Sequence, residues 1–162
     1  MPFVIHTLTD GAFPAQRWEY SVGERSGLLL TATAIPLAPV VGVGSGNTRQ
    51  QMLLLAGSRI PLHEQASCEG RGPAHELRER LIREGEFVPE QMRMWYETRR
   101  DLPFSSPGLM ATVVAGASKD GWKWVSADDS TLTLKEAWSR AVSGDYVLQV
   151  YQFPTSNHRA LS

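Results

Sequence analysis

Only one cysteine, Cys68, stands in these 162 residues, so no disulfide can form within the chain and an oxidising compartment has nothing to stabilise. Lysine is scarce as well, at three against thirteen arginines. Codon composition accounts for that bias without any function. Arginine is also the better residue for bidentate phosphate contacts, so the bias permits such a role without arguing for it. Net charge is nearly absent: 16 basic and 17 acidic residues leave −1. A chain that holds nucleic acid by bulk charge is far more basic than this. Long apolar runs are missing too. The longest, residues 34–44, is interrupted by Pro36 and Pro39 and spans about half a bilayer. The opening residues carry neither the basic region nor the apolar stretch of a signal peptide. These absences exclude a histone-like basic binder, an acidic tail protein and a disulfide scaffold. No membrane association and a cytoplasmic location are expected. What remains is the composition of an ordinary folded domain, 42% apolar and 20% charged.

The first half reads as strands. Residues 3–8 form a short β-rich run. Residues 17–22 alternate around Trp18, Tyr20 and Val22, and Gly23-Glu24-Arg25-Ser26-Gly27 suits a hairpin connection to a β-branched run at 28–35. A further run follows at 40–43. Residues 51–56 fit a buried strand or a short helix, which periodicity alone does not separate. The second half changes period. From 73 to 84, Ala74, Leu77 and Leu81 share one helical face, and Gly85 sits where a helix-ending glycine belongs. Ser106 followed by Pro107 starts a second helix, running to Gly116. Thr133 with Glu136 caps a third, over 134–142. Strands are expected at 92–97, 122–125 and 145–153, and the last eight residues are expected to fray. The fold class predicted is α+β, a mostly antiparallel sheet with about three packed helices in a single domain. Residues 1–48 would be a strand-rich extension of the same sheet, 49–154 the core, and 155–162 a frayed tail.

Most of the chemistry these residues suggest is weakly supported. Gly42-x-Gly44-x-Gly46 follows a strand, but the dinucleotide fingerprint needs a third glycine where Asn47 stands, so a tight turn is the better reading. His63, Cys68 and His75 are zinc-ligand types without the usual close pairing; a fourth ligand would come from Glu64, Glu69, His6 or His158. Asp128 and Asp129 are adjacent carboxylates whose side chains diverge, which reads as a solvated turn. Between 69 and 100 seven acids offset seven arginines, so the helix there is a solvated one, and Arg99-Arg100 and Lys119 with Lys123 are the concentrated positive spots. Trp122 and Trp124, at i and i+2, would share a strand face beside those lysines. Aromatic faces next to cations are how single-stranded nucleic acid is stacked, although packing on a helix explains the pair as well.

Residues 49–138 resemble an uncharacterised domain family found C-terminal to GIY-YIG nucleases and DNA methyltransferases of restriction-associated systems. The match is carried by an apolar strand ending in Gly57-Ser58 and by a helix of the form Leu-Arg-x-x-Leu-Ile-x-x-Gly at Leu77, Arg78, Leu81, Ile82 and Gly85. Its most specific part is Phe104-x-Ser106-Pro107, Gly116-Ala117-Ser118-Lys119-Asp120-Gly121-Trp122, Trp124, and the acidic turn Asp128-Asp129 before Thr131-Leu132. The family commonly has Arg where Ala117 stands, Asn where Asp120 stands, and one more residue between the tryptophans. Both charge changes make this segment less positive.

The resemblance implies company more than chemistry. It implies a non-enzymatic accessory module of DNA restriction, defence or nucleic-acid processing, with weak nucleic-acid contact through Lys119, Trp122, Lys123, Trp124, Arg99 and Arg100. No cofactor, catalytic residue or metal ligand is assigned. The partners expected are DNA or RNA, a nuclease or methyltransferase, or a second copy of the chain. The alternatives are a protein-interaction or dimerisation module that does not bind nucleic acid, and a small metal-dependent hydrolase.

Overall fold

Alternating residues around Trp18 build the centre of the molecule. In the computed structural model, which describes residues 3–8, 16–25, 28–38, 50–64, 72–116, 124–153 and 160–162, strand β2 (Trp18–Arg25) folds back on β3 (Leu28–Pro36). The hairpin is antiparallel, pairs Trp18 with Ala34 and Arg25 with Leu28, and shifts register between Ser21 and Gly23. Trp18, Val22, Leu30, Ala32 and Ala34 point to one face and are buried. Ile35 and Leu37 belong to a second, smaller apolar cluster with Leu53 and Tyr151.

Taken along the chain, the remaining elements are β1 (Phe3–Thr7), β4 (Met52–Leu54), β5 (Arg59–Ile60), α1 (Gly72–Arg83), β6 (Phe87–Pro89), β7 (Tyr96–Thr98), β8 (Leu102–Phe104), α2 (Pro107–Ala115), β9 (Val125–Ser126), α3 (Leu134–Val142) and β10 (Leu148–Gln152). Three sheets result among the described residues. Five strands lie in the order β8-β4-β3-β2-β9, three in the order β5-β7-β6, and β1 pairs with β10. Among the described strands, each strand-to-strand pairing is antiparallel except β1–β10, which is parallel. This is the α+β fold expected, with three helices among the described residues.

The ambiguous run at 51–56 is a strand. All three residues of β4 are buried, Met52 and Leu54 in the main core and Leu53 in the second cluster, so a continuous apolar run was needed. A bridge from Leu37 to Tyr151, with the Ala38 N–H donating to the Tyr151 carbonyl at 2.7 Å, ties β10 to the end of β3. Gln16 strengthens the tie. Its side-chain oxygen accepts from the Gln149 N–H at 3.1 Å and its backbone N–H donates to the Tyr151 hydroxyl at 3.2 Å.

The helix ends follow the sequence signals closely. Ser106 caps α2 by accepting the Leu109 N–H at 3.1 Å, and Pro107 holds the first helical position. Nearly the whole circumference of α2 is buried, which suits its apolar composition. Thr133 caps α3 by accepting the Glu136 N–H at 3.2 Å. Beyond α1, the Gly85 N–H donates to the Ile82 carbonyl at 3.2 Å and the Glu86 N–H to the Leu81 carbonyl at 2.9 Å, with Gly85 at φ +76°. That pair of bonds is the Schellman ending.

Several expected strands are shorter than the sequence suggests. In 92–97 the chain instead turns at Arg93, whose φ is +56° and whose N–H donates to the Glu90 carbonyl at 2.9 Å, so β7 begins only at Tyr96. Likewise β9 starts at Val125, after Trp124, and β10 at Leu148. The run at 40–43 lies outside the described residues. Leu161, within the stretch expected to fray, bridges to Phe104; its N–H donates to the Pro103 carbonyl at 2.7 Å and its carbonyl accepts the Ser105 N–H at 2.8 Å. Among the described residues, no helix is long and apolar enough to cross a membrane.

Candidate functional site

Three segments meet near the start of α1: the turn after β5, the first two turns of α1, and the end of α2. Leu77 and Leu81 set the rotation of α1 by facing the core. Arg78, beside Leu77 on the inward side, is 1% exposed. Its Nη1–H donates to the Val113 carbonyl at 2.8 Å and its Nη2–H to the Pro61 carbonyl. Val113 lies in the last turn of α2, where backbone carbonyls lack helical partners, so the guanidinium satisfies one of them. One arginine thereby joins all three segments.

The same rotation brings His75 to the turn after β5. Its Nδ1–H donates to Oε1 of Glu64 at 2.5 Å, with the two side chains 23% and 8% exposed. An ionised carboxylate only accepts, so against it Nδ1 of the imidazole is the donor. Glu79, four residues after His75 and on the same helical face, is exposed. The ligand atoms of Glu64, His75 and Glu79 all lie within 4.8 Å of one another. Gly116, which ends α2 at φ +64°, closes over this corner: a Cβ there would stand 3.0 Å from the Glu64 Cα and 3.4 Å from the His63 carbonyl oxygen.

The residues singled out from sequence are distributed differently from that corner. Lys119, Trp122, Lys123, Cys68 and His158 lie outside the described residues. Trp124 is fully buried, packs edge-on against Tyr20 with ring centroids 5.2 Å apart, and accepts the Leu134 N–H on its carbonyl at 2.6 Å. A ring enclosed in this way has no face to offer a base, which corrects its assignment as a stacking residue. Arg100 donates from Nε to Oε2 of Glu86 at 2.8 Å; that hydrogen bond and charge raise its pKa further above the usual arginine value. Its side chain stays 66% exposed. Arg99 is exposed, with its N–H on the Glu86 carbonyl at 2.9 Å. Both arginines sit beyond the C-terminal end of α1, and His75 is near its beginning. More than two turns of α1, about 12 Å along its axis, lie between His75 and that end.

Asp128 and Asp129 form an exposed turn of their own. Oδ1 of Asp129 accepts from the Thr131 hydroxyl at 2.6 Å and from the Thr131 N–H at 3.0 Å, and these bonds hold its carboxyl below the usual aspartate value. The Asp128 N–H donates to the Ser126 hydroxyl at 3.2 Å. Neither aspartate joins the Glu64–His75–Glu79 group. His63 is exposed and outside that group as well, and His6 stacks on Tyr151 at 5.4 Å. Sequence reasoning weighed Glu64 and His75 and missed Glu79 and Arg78. The available signals were the four-residue spacing from His75 to Glu79 and an arginine directly after a core leucine.

Fold and corner together define an α+β module in which a helix-ending glycine closes on a histidine–carboxylate pair. A family model described as Domain of unknown function (DUF4357) matches residues 43–136, more than half of the chain, and the chain belongs to that family. No curated protein and no solved structure matches it. The matched region holds the whole corner. Strands β2 and β3, which precede it, stand inside the five-stranded sheet between β4 and β9.

Proposed function

We propose that the chain is a non-enzymatic accessory module that works beside a DNA-acting catalytic domain of a restriction or defence system and contacts nucleic acid weakly. The observation that supports this reading is the fixing of both flanks of residues 117–123. On one side Gly116 is wedged against the backbone of Glu64; on the other Trp124 is locked in the core against Tyr20. Between those fixed points lie Lys119, Trp122 and Lys123, the cation–aromatic combination that suits single strands. Binding residues are commonly carried by connecting segments set on a rigid scaffold. The near-zero net charge agrees with local contact rather than bulk attraction. The resemblance to domains behind GIY-YIG nucleases and methyltransferases supplies the expected partner, a catalytic domain that this chain would position or regulate.

Fluorescence anisotropy with labelled single- and double-stranded DNA and RNA, at about 50 and about 200 mM salt, tests the reading. Saturable binding that weakens with salt, and is reduced in folded Lys119→Ala, Trp122→Ala and Lys123→Ala variants, is expected. No binding at the lower salt, or unchanged affinity in those variants, would sink it.

One observation favours a second reading, self-association without nucleic acid. Strand β1 pairs with β10 alone among the described strands, and Val4 and Ile5 on it are exposed, Ile5 by 56%. An edge strand with exposed apolar side chains can pair with a second copy. Monomeric elution at micromolar concentration would remove this reading.

A further inference from the structure

We infer that Glu64, His75 and Glu79 form a binding site for one divalent transition-metal ion of the zinc class. Two carboxylates and an imidazole within 4.8 Å of one another are the donor set such ions take, nitrogen and oxygen together. The charges agree: two ionised carboxylates around a neutral imidazole balance a dication. Among the described residues, Glu79 has no ion-pair partner, so its carboxylate is uncommitted.

The supporting structure is already in place. His75 and Glu79 are carried on one face of α1, whose rotation is fixed by Leu77, Leu81 and the buried Arg78. Glu64 is carried by backbone pinned beneath Gly116. Two of the donors are therefore set on a rigid helix and the third on a buttressed turn. Glu79 faces solvent, which leaves a route for the ion to enter and an open position for water.

Binding replaces one bond with others. The proton held between His75 Nδ1 and Glu64 Oε1 is released to solvent as Nε2 takes one up from it, so the imidazole stays neutral with its proton on Nε2 and the ion takes the vacated place on Nδ1. Metal–nitrogen and metal–oxygen bonds of about 2.0–2.2 Å put neighbouring tetrahedral ligands roughly 3.3 Å apart. The His75–Glu64 pair opens to that separation from 2.5 Å, and Glu79 closes to it from within 4.8 Å. Side-chain rotation of an exposed glutamate spans that difference.

The test is isothermal titration of Zn²⁺ into the full chain after chelator treatment, with stoichiometry checked by elemental analysis. One ion per chain is expected, with affinity weakened at least about tenfold in Glu79→Gln. Glu79 is exposed on α1, so circular dichroism of this variant should match the parent and the test does not depend on His75→Ala remaining folded. Absence of saturable binding, or parental affinity in folded Glu79→Gln, overturns the inference.

Discussion

Gly116 leaves little room above the Glu64 backbone: a Cβ on Gly116 would lie 3.0 Å from the Glu64 Cα, tighter than nearly all such contacts. Gly116 is also left-handed, at φ +64°, so alanine there meets both a conformational and a steric penalty. Gly85 separates the two, because it is left-handed at φ +76° with nothing within 4 Å of its would-be Cβ. Gly85→Ala should cost about 1–2 kcal/mol. Gly116→Ala should cost at least about 1 kcal/mol more than that. Urea unfolding of both variants measures the difference.

Arg78 is the second lever. Arg78→Met keeps the apolar stem but removes the donors to the buried Val113 carbonyl and the part-buried Pro61 carbonyl, a loss of about 2–4 kcal/mol. Arg78→Lys should recover only part of it, since an ammonium group cannot reproduce the fork that reaches both carbonyls. Chemical denaturation should rank the three as arginine, lysine, methionine.

Asp129 carries a pH prediction. The Thr131 hydroxyl, and then the Thr131 amide, stabilise its ionised form and lower its pKa. A carboxyl depressed in the folded state adds stability above its unfolded pKa, and loses it as pH falls through the folded value. Thr131→Val removes the larger of the two causes. NMR titration of the side-chain carboxyl should show the Asp129 midpoint moving up toward the ordinary value. The acid limb of the stability profile should flatten with it.

Trp124 should behave as a core residue. Trp124→Ala removes a fully buried indole and the edge contact to Tyr20, at about 3–5 kcal/mol. Thermal unfolding should fall sharply for this variant, so loss of nucleic-acid binding at Trp124 would report unfolding. Trp122 is the informative position.

Sequence legibility followed the range of the interactions. Helix ends at Ser106, Gly85 and Thr133 were readable because a cap is decided within a few residues. Strands β5, β6 and β8 were not, since two or three residues carry no period and exist only through partners: Arg59 against Glu97, Phe87 against Thr98, Met52 against Phe104. The 92–97 run looked like a strand, and the tertiary structure places a left-handed turn at Arg93 inside it. At the corner, spacing drew attention to His63, Cys68 and His75. The partner that His75 takes is the neighbour of His63, and its companion Glu79 is one helical turn further on. Alternation put Trp124 on a shared face with Trp122, yet β9 begins one residue later.

The parallel pairing of β1 with β10 also sets a clock. Phe3 meets Leu148, so the first described strand has no partner until about 145 further residues have been made. At about 5–20 residues per second, that wait on a ribosome is roughly 7–30 s. During it, β1 must stay unpaired with its apolar residues, Phe3, Val4 and Ile5, uncovered. The β2–β3 hairpin and the matched core can close earlier from nearer contacts, leaving the joining of β1 to β10 as the late step of folding.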